Sequence, residues 1–208
     1  MEQKTFALKG NIIYTKERTR FEVMEQGWLV CEEGRVRDVY SVLPEELKGI
    51  PVEDMEDRLI IPGLTDLHIH APQYTFRSLG MDMELLEWLE TNTFPEESKY
   101  KDAEYAKKAY EMFAEQLKKS ATVRACIFGT IHNEATLILM DLLEEAGLHT
   151  MVGKVNMDRN SPDYLCEPSA EASAQATREW LKAVADRKYK HTRPILTPRF
   201  TPSCTDEL

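Results

Sequence analysis

Two histidines, His68 and His70, stand one residue apart in Leu64-Thr65-Asp66-Leu67-His68-Ile69-His70. Apolar Leu67 and Ile69 alternate with Asp66, His68 and His70, and a period of two predicts a strand. Residues i and i+2 of a strand project to one side, so the two imidazoles leave it together, with Leu67 and Ile69 facing the other way. Their Cα atoms stand about 6–7 Å apart, close enough to converge on one metal ion. A hydrolytic zinc centre takes three or more protein ligands and a water. His68 and His70 supply two, and the sequence singles out no third ligand and no paired Glu base. A bound metal acidifies water towards neutral pH, and a carboxylate normally moves the proton. Asp66 shares the histidine face two residues deeper, where a hydrogen bond inside the fold is its expected work.

Other residues suit a flat polar ring. In Arg199-Phe200 the guanidinium could meet a heterocycle's carbonyl and ring nitrogen while the ring stacks on the phenyl group. The alternative is an arginine solvating a loop beside a phenylalanine filling a core gap. Gln73 offers an amide donor and acceptor that could read a purine edge. Tyr74 and Trp88 are expected in the core. His132 is expected as a loop or packing residue, and His149 and His191 precede strands on the far side of the sheet.

These residues need a scaffold, and the flanking patterns describe one. Up to residue 58 the chain reads as a small β-sandwich-like unit. Thr5–Leu8 and Ile12–Thr15 flank Gly10-Asn11, a turn pair. Trp28–Cys31 and Val36–Tyr40 flank Glu32-Glu33-Gly34, a hairpin signal. Pro44–Leu47 predicts a helical turn, and 51–53 and 58–60 two short extended pieces. From Leu59 strands alternate with long helical segments, which predicts βα units and a parallel sheet. Residues 83–90 predict a short helix that Pro95 interrupts. Asp102 is placed as the N-cap of a helix to Lys119, with Ala106, Tyr110, Phe113 and Leu117 on one face. Strands are expected near 124–131, 150–156 and 194–200. Between them fall helices from Asn133, an N-cap, to Ala146 and from Ser169 to Lys188. Ser203-Cys204-Thr205-Asp206 reads as a capping box announcing one more helix. Four βα units are half of an eight-unit barrel, which takes about 250 residues. The fold class expected is therefore α/β, with residues 59–208 as the first half of a TIM-like (β/α)8 barrel, truncated at the start of its fourth helix. A complete small doubly wound domain is the rival. In a barrel the site lies at the C-terminal ends of the strands, where His68, His70 and Arg199 fall.

The composition is that of a globular chain: 208 residues, 42% hydrophobic and 30% charged. With 26 basic against 36 acidic residues the net charge is −10, which argues against nucleic acid or an anionic membrane as partner. No apolar run reaches the roughly 18 residues of a membrane span. The four scattered cysteines form no CxxC pair, so free thiols and a cytoplasmic location are expected.

Pro62-Gly63-Leu64-Thr65-Asp66-Leu67-His68-Ile69-His70, following a small β unit, resembles the opening of the amidohydrolase superfamily. Five further segments resemble its guanine deaminase family: His70-Ala71-Pro72-Gln73-Tyr74, Leu85-Leu86-Glu87-Trp88-Leu89, Thr93-Phe94-Pro95, Val152-Gly153-Lys154-Val155 and Thr197-Pro198-Arg199-Phe200. The resemblance implies a zinc-dependent aminohydrolase of purine catabolism that converts guanine and water to xanthine and ammonia. By match, His68 and His70 would be Zn2+ ligands. His70, Ala71, Pro72, Gln73, Arg199 and Phe200 would hold guanine. The family's other histidine ligands, its Glu proton shuttle and its Asp ligand lie on later strands. No general base is therefore assigned within this chain. It is expected beyond Leu208, and little or no activity is expected of this chain alone. The resemblance also implies a homodimer in the full-length family. Ser120-Ala121-Thr122-Val123 departs from the family's Gly-Thr-Thr type of turn, and the missing glycine is expected to strain or reshape that turn. The alternatives are another amidohydrolase, chlorohydrolase-like or an aminopurine deaminase, and a non-catalytic remnant that binds a purine or a partner subunit.

Overall fold

The computed structural model describes residues 5–208, so residues 1–4 of the expected 1–58 unit lie outside the described residues. The chain divides into two compact units at Pro62/Gly63. The first is a four-stranded sheet ordered β3-β2-β1-β4, with β1 at Phe6–Glu17, β2 at Arg20–Glu32, β3 at Arg35–Tyr40 and β4 at Val52–Ile60. Ala7, Val30 and Leu47 form its buried centre. A second layer, which a sandwich requires, is not among the described residues. The expected β2–β3 hairpin is present, turning at Glu33 (φ 49°) and Gly34 (φ 73°), and the predicted helical turn lies at Glu45–Leu47. Gly10-Asn11 is not a turn, however. β1 runs straight through it with a register shift between Gly10 and Ile12. Asn11 pins this bulge: its Oδ1 accepts from Gln26 N at 3.1 Å and its Nδ2 donates to Asp57 O at 3.2 Å. An Asn-Gly-type signal suits a bulge as well as a turn. The two short extended pieces at 51–60 are one strand, β4, parallel to β1.

The second unit holds β5 (Leu64–His70), β6 (Thr122–Phe128), β7 (His149–Gly153) and β9 (Thr192–Pro194) as a parallel sheet in chain order. A second parallel pair joins β8 (Val155–Asn156) to β10 (Thr197–Pro198). The expected third and fourth strands are thus each split in two, at Lys154 and at Ile195-Leu196. Leu59 and Ile60 end β4 rather than begin β5. Helices α1 (Leu85–Trp88), α2 (Phe94–Ser98), α3 (Ala103–Lys119), α4 (Asn133–Glu145) and α5 (Ala170–Arg187) complete the unit. Helices α3, α4 and α5 pack on the parallel sheet.

The predicted apolar faces meet there. Ala106, Tyr110, Phe113 and Leu117 of α3 pack with Leu139 and Leu143 of α4, Trp180 and Val184 of α5, and Ala125, Ile127 and Val152 of the sheet. Each fully buried leucine contributes about 1.5–3 kcal/mol. Asp102 caps α3 as expected, accepting from Glu104 N at 2.9 Å and Tyr105 N at 3.3 Å. Ser169 caps α5 through Ala172 N at 3.1 Å. Asn133 does not cap α4. His132 holds that position through its backbone, and the Asn133 amide reaches Ala176 O at 2.9 Å. Pro95 does not break its helix. Leu89–Thr93 form a π-turn, and Pro95 then sits in the first turn of α2, where no N–H is required of it. Ser120 leaves α3 with φ −86° and ψ 172°, ordinary extended backbone that needs no glycine, so the expected strain is absent. The Ser203 hydroxyl donates back to Phe200 O at 3.1 Å, while Asp158 takes the N–H and hydroxyl of Thr205. The Thr205 hydroxyl oxygen in turn accepts the Leu208 N–H at 3.3 Å. The expected capping box is therefore a 3-10 turn, Thr201–Ser203, followed by a stretch up to Leu208 that is tied to Asp158 rather than helical.

Candidate active site

β5 delivers its histidines as a pair. His68 Nε2 and His70 Nε2 lie 3.1 Å apart, and both rings rest against Phe128 at the end of β6, with centroids 4.9 and 4.6 Å away. His70↔Phe128 is a register pair of β5 and β6, so the contact follows from strand pairing. The ladder shifts register between Asp66 and Ile69. At that shift Asp66 Oδ1 accepts His68 N–H at 3.0 Å, an exposed local bond to the strand's own backbone rather than the expected one inside the fold. The shift also corrects the expected facing of the strand: Ile69 packs against the helical core, whereas Leu67 is 74% exposed. Burial pushes the His70 imidazole down to about 3, helped by the charges of Arg199 and His68. It is therefore neutral at pH 7, with a lone pair free for a cation.

Past His70 the chain coils through a short 3-10 segment, Ala71–Phe76, which carries Gln73. Ala71 and Pro72 are buried, and Pro72 O accepts the Tyr100 hydroxyl at 3.2 Å. Their work is to fix the backbone that presents Gln73. Arg199 follows β10, and its N–H bonds to Asn156 O of β8 at 3.1 Å. Its guanidinium is gripped by Glu97 of α2: Nη1 donates to Oε2 at 2.5 Å and Nη2 to Oε1 at 3.0 Å. Both side chains are nearly dry, 4% and 1% exposed. Burial pushes the Glu97 carboxyl up, opposed by the charge and hydrogen bonds of Arg199 and by the facing amide of Gln73. The two groups form a buried, bidentate ion pair. Phe94, one turn before Glu97, stacks under the guanidinium at 5.6 Å.

A buried polar network supports the strand that carries Arg199. Lys154, fully enclosed, pairs with Glu167 and donates to Val155 O at 2.9 Å. The other Glu167 oxygen accepts from Met157 N at 3.0 Å and Ser173 Oγ at 2.5 Å. Asn156 closes the network onto Ser173 Oγ at 2.7 Å and Thr177 Oγ1 at 2.8 Å.

His68, His70, Gln73, Arg199 and Phe200 line one cavity of about 730 Å³ with Tyr74, Trp88 and Leu89. That volume suits a small heterocycle. The structure thus brings five of the seven residues singled out from sequence to one wall, and leaves Ala71 and Pro72 behind it. Tyr74 and Trp88 pack against buried core clusters as expected, and they also line the cavity. Trp88 Nε1 is tied to Leu79 O at 3.0 Å. Glu97 was not foreseen. In the sequence it is one of two adjacent glutamates, and nothing local separates a buried carboxylate from a solvated one. His132 is half-buried next to the Lys154–Glu167 pair, and burial lowers its imidazole pKa. His149 and His191 pack on each other, with centroids 5.1 Å apart, at the starts of β7 and β9, away from the cavity as expected.

The pair His68–His70 fits part of a metal site. The two Nε2 atoms are close enough to reach one ion, and burial keeps His70 neutral. Among the described residues no group of three His, Cys, Asp or Glu side chains could hold a metal. Among the described residues no Asp or Glu lines the cavity. No helix among them is long and apolar enough to cross a membrane, and all four cysteines are free.

A parallel βα sheet with a His-x-His pair at the C-terminal end of its first strand matches the amidohydrolase family over residues 59–208, and the chain belongs to that family. Among individual relatives, the guanine deaminase of Dictyostelium discoideum is 35% identical over 96% of this chain and 48% of its own length. A solved guanine deaminase from C. acetobutylicum, with guanine bound in its active site, superposes with a TM-score of 0.91. It is 43% identical over 98% of this chain and 48% of that one. A triazine hydrolase shares the fold at 15% identity, with a TM-score of 0.77. The chain spans about half the length of the relatives it matches.

Proposed function

We propose that this chain carries the purine-binding wall and two metal ligands of a guanine deaminase. The observation that carries the reading is the convergence of Gln73, Arg199 and Phe200 with His68 and His70 on one cavity. Similarity to guanine deaminases over nearly the whole chain supports it. Arg199, held by Glu97, offers its free N–H groups to a carbonyl and adjacent ring nitrogen. The Phe200 ring offers a stacking face, and Gln73 supplies an amide to the ring edge. Leu89 and Trp88 exclude water from the ring faces. His68 and His70 would hold Zn2+ with at least one further ligand, and bound Zn2+ supplies a water acidified to near neutral pH for attack on the carbon bearing the amino group. The carboxylate that would move the proton is not assigned to a residue of this chain. A homodimer in the cytoplasm belongs to the same reading, and light scattering measures the assembly.

Binding tests the proposal directly. Purified chain should bind Zn2+, measured by competition with a chromophoric chelator, and H68A and H70A should each weaken that binding about tenfold or more. Guanine should quench the fluorescence of Trp88. Wild-type chain that binds neither Zn2+ nor guanine refutes the reading. Ammonia release from guanine by the 208-residue chain should be little or none. Robust turnover would show that two histidines are not the only ligands this chain supplies, and that the base does not lie beyond Leu208.

A further inference from the structure

The Arg199–Glu97 pair raises a question of charge. A guanidinium at the wall of a small, largely apolar cavity is, by itself, a strong anion receptor. Here its charge is cancelled from behind. Glu97 faces it end-on, and the bidentate contact uses one N–H of each Nη. The Nε–H and the outward Nη hydrogens remain, forming a donor fork that lines the cavity but carries no net charge. Of the other groups facing the cavity, Arg77 is exposed to water and held over the Tyr74 ring at 4.1 Å, and His68 and His70 face each other with Nε2 atoms 3.1 Å apart. Gln73 presents an uncharged amide. Ser78 presents a hydroxyl, and the remaining walls are apolar or aromatic.

We infer that Glu97 is a specificity-determining residue which, by neutralising Arg199, makes the cavity select neutral oxopurines over anionic ones. The inference rests on the cavity being the purine site, and it adds a chemical consequence. Replacing a ring amino group by a second carbonyl makes the heterocycle more acidic. A charge-neutral fork in a low-dielectric wall retains the neutral substrate and disfavours the anion of the more acidic product. Glu97 would thereby favour release of product without touching the ring, as a positioning residue acting through Arg199.

The test compares binding of hypoxanthine, a neutral oxopurine, with that of urate, an anion of similar ring chemistry at neutral pH. The full 208-residue chain is used after chelator treatment, so that no metal adds charge. Wild type should bind hypoxanthine and discriminate against urate. In E97Q the uncompensated guanidinium should shift the hypoxanthine-to-urate ratio towards urate by about tenfold or more, whereas E97D, which keeps the charge, should restore discrimination. A purely structural role for Glu97 would weaken both ligands alike, and an unchanged ratio in folded E97Q overturns the inference. Should E97Q fail to fold, wild type still decides. Its affinity for xanthine relative to hypoxanthine should fall as pH rises through xanthine's first ionisation, and a ratio that is flat or rises overturns the inference. Wild type that binds no oxopurine overturns the purine-site reading itself, and this inference with it.

Discussion

The buried pair Lys154–Glu167 makes an asymmetric prediction. Replacing Glu167 with Leu leaves the Lys154 ammonium, fully enclosed, with only Val155 O to accept from it. It also strips the acceptor from Met157 N–H and from the Ser173 hydroxyl. Breaking a buried pair in this way costs about 3–5 kcal/mol. Replacing Lys154 with Met is gentler, because Glu167 keeps those same two donors. The loss is then about 1–3 kcal/mol, that of hydrogen bonds to a charged group. The double variant removes the stranded charge and leaves only the two uncharged donors, so it should be less destabilised than E167L alone, by about 2 kcal/mol. The assay is urea unfolding followed by helical circular dichroism, since α3, α4 and α5 all lie in the 63–208 unit. In thermal unfolding, E167L should lower Tm by about 6–20 °C, at roughly 2–4 °C per kcal/mol for a domain of this size. E167L should also weaken purine binding, because Asn156, bound into the same network, accepts the Arg199 N–H. If K154M proves as damaging as E167L, or the double variant loses the sum of the singles, the account of this network is wrong.

Three further outcomes follow from single contacts. A Cβ on Gly153 would stand 2.2 Å from Thr197 Oγ1 and 2.7 Å from the Ile195 carbonyl, so G153A should cost about 1–3 kcal/mol. An unchanged Tm would show that β7 and the chain leading to β10 can part freely. Burial pushes the Glu144 carboxyl up, but the N–H groups of Lys190, His191 and Thr192 at 2.7–2.9 Å pull its pKa below the usual 4.5. With a depressed folded pKa, its contribution is fully present above 4.5 and is lost as pH falls through the folded value. E144Q should thus be less stable than wild type by about 1 kcal/mol at neutral pH, allowing for partial exposure. The gap should close in acid, and a gap independent of pH would refute the assignment. D102A removes the cap of α3 and should cost about 1 kcal/mol, read as a lower urea midpoint at unchanged slope.

Much of the scaffold was legible because helix signals are local. Asp102, Ser169 and the apolar stripe of α3 each act within a turn or two of chain, and the structure keeps them. The misreadings share a different cause. Gly10-Asn11 has the composition of a turn, yet its conformation is set by Gln26 and Asp57, far along the chain. Pro95 looked like a break, yet a π-turn before it shifts the helix so that no N–H is missed. Strands 150–156 and 194–200 looked continuous, but close passage of Thr197 over Gly153 divides the pairing into two short ladders.

The sequence by itself determined the two imidazoles on one strand face and the βα alternation, because spacing along one element decides which side chains point together. Only the tertiary structure decided that Gln73 and Arg199, far apart in the chain, line one cavity, and that Glu97 grips Arg199. The physical reason is burial. A glutamate in water and a glutamate sealed against a guanidinium are spelled alike, and folding alone removes the water that separates their chemistry.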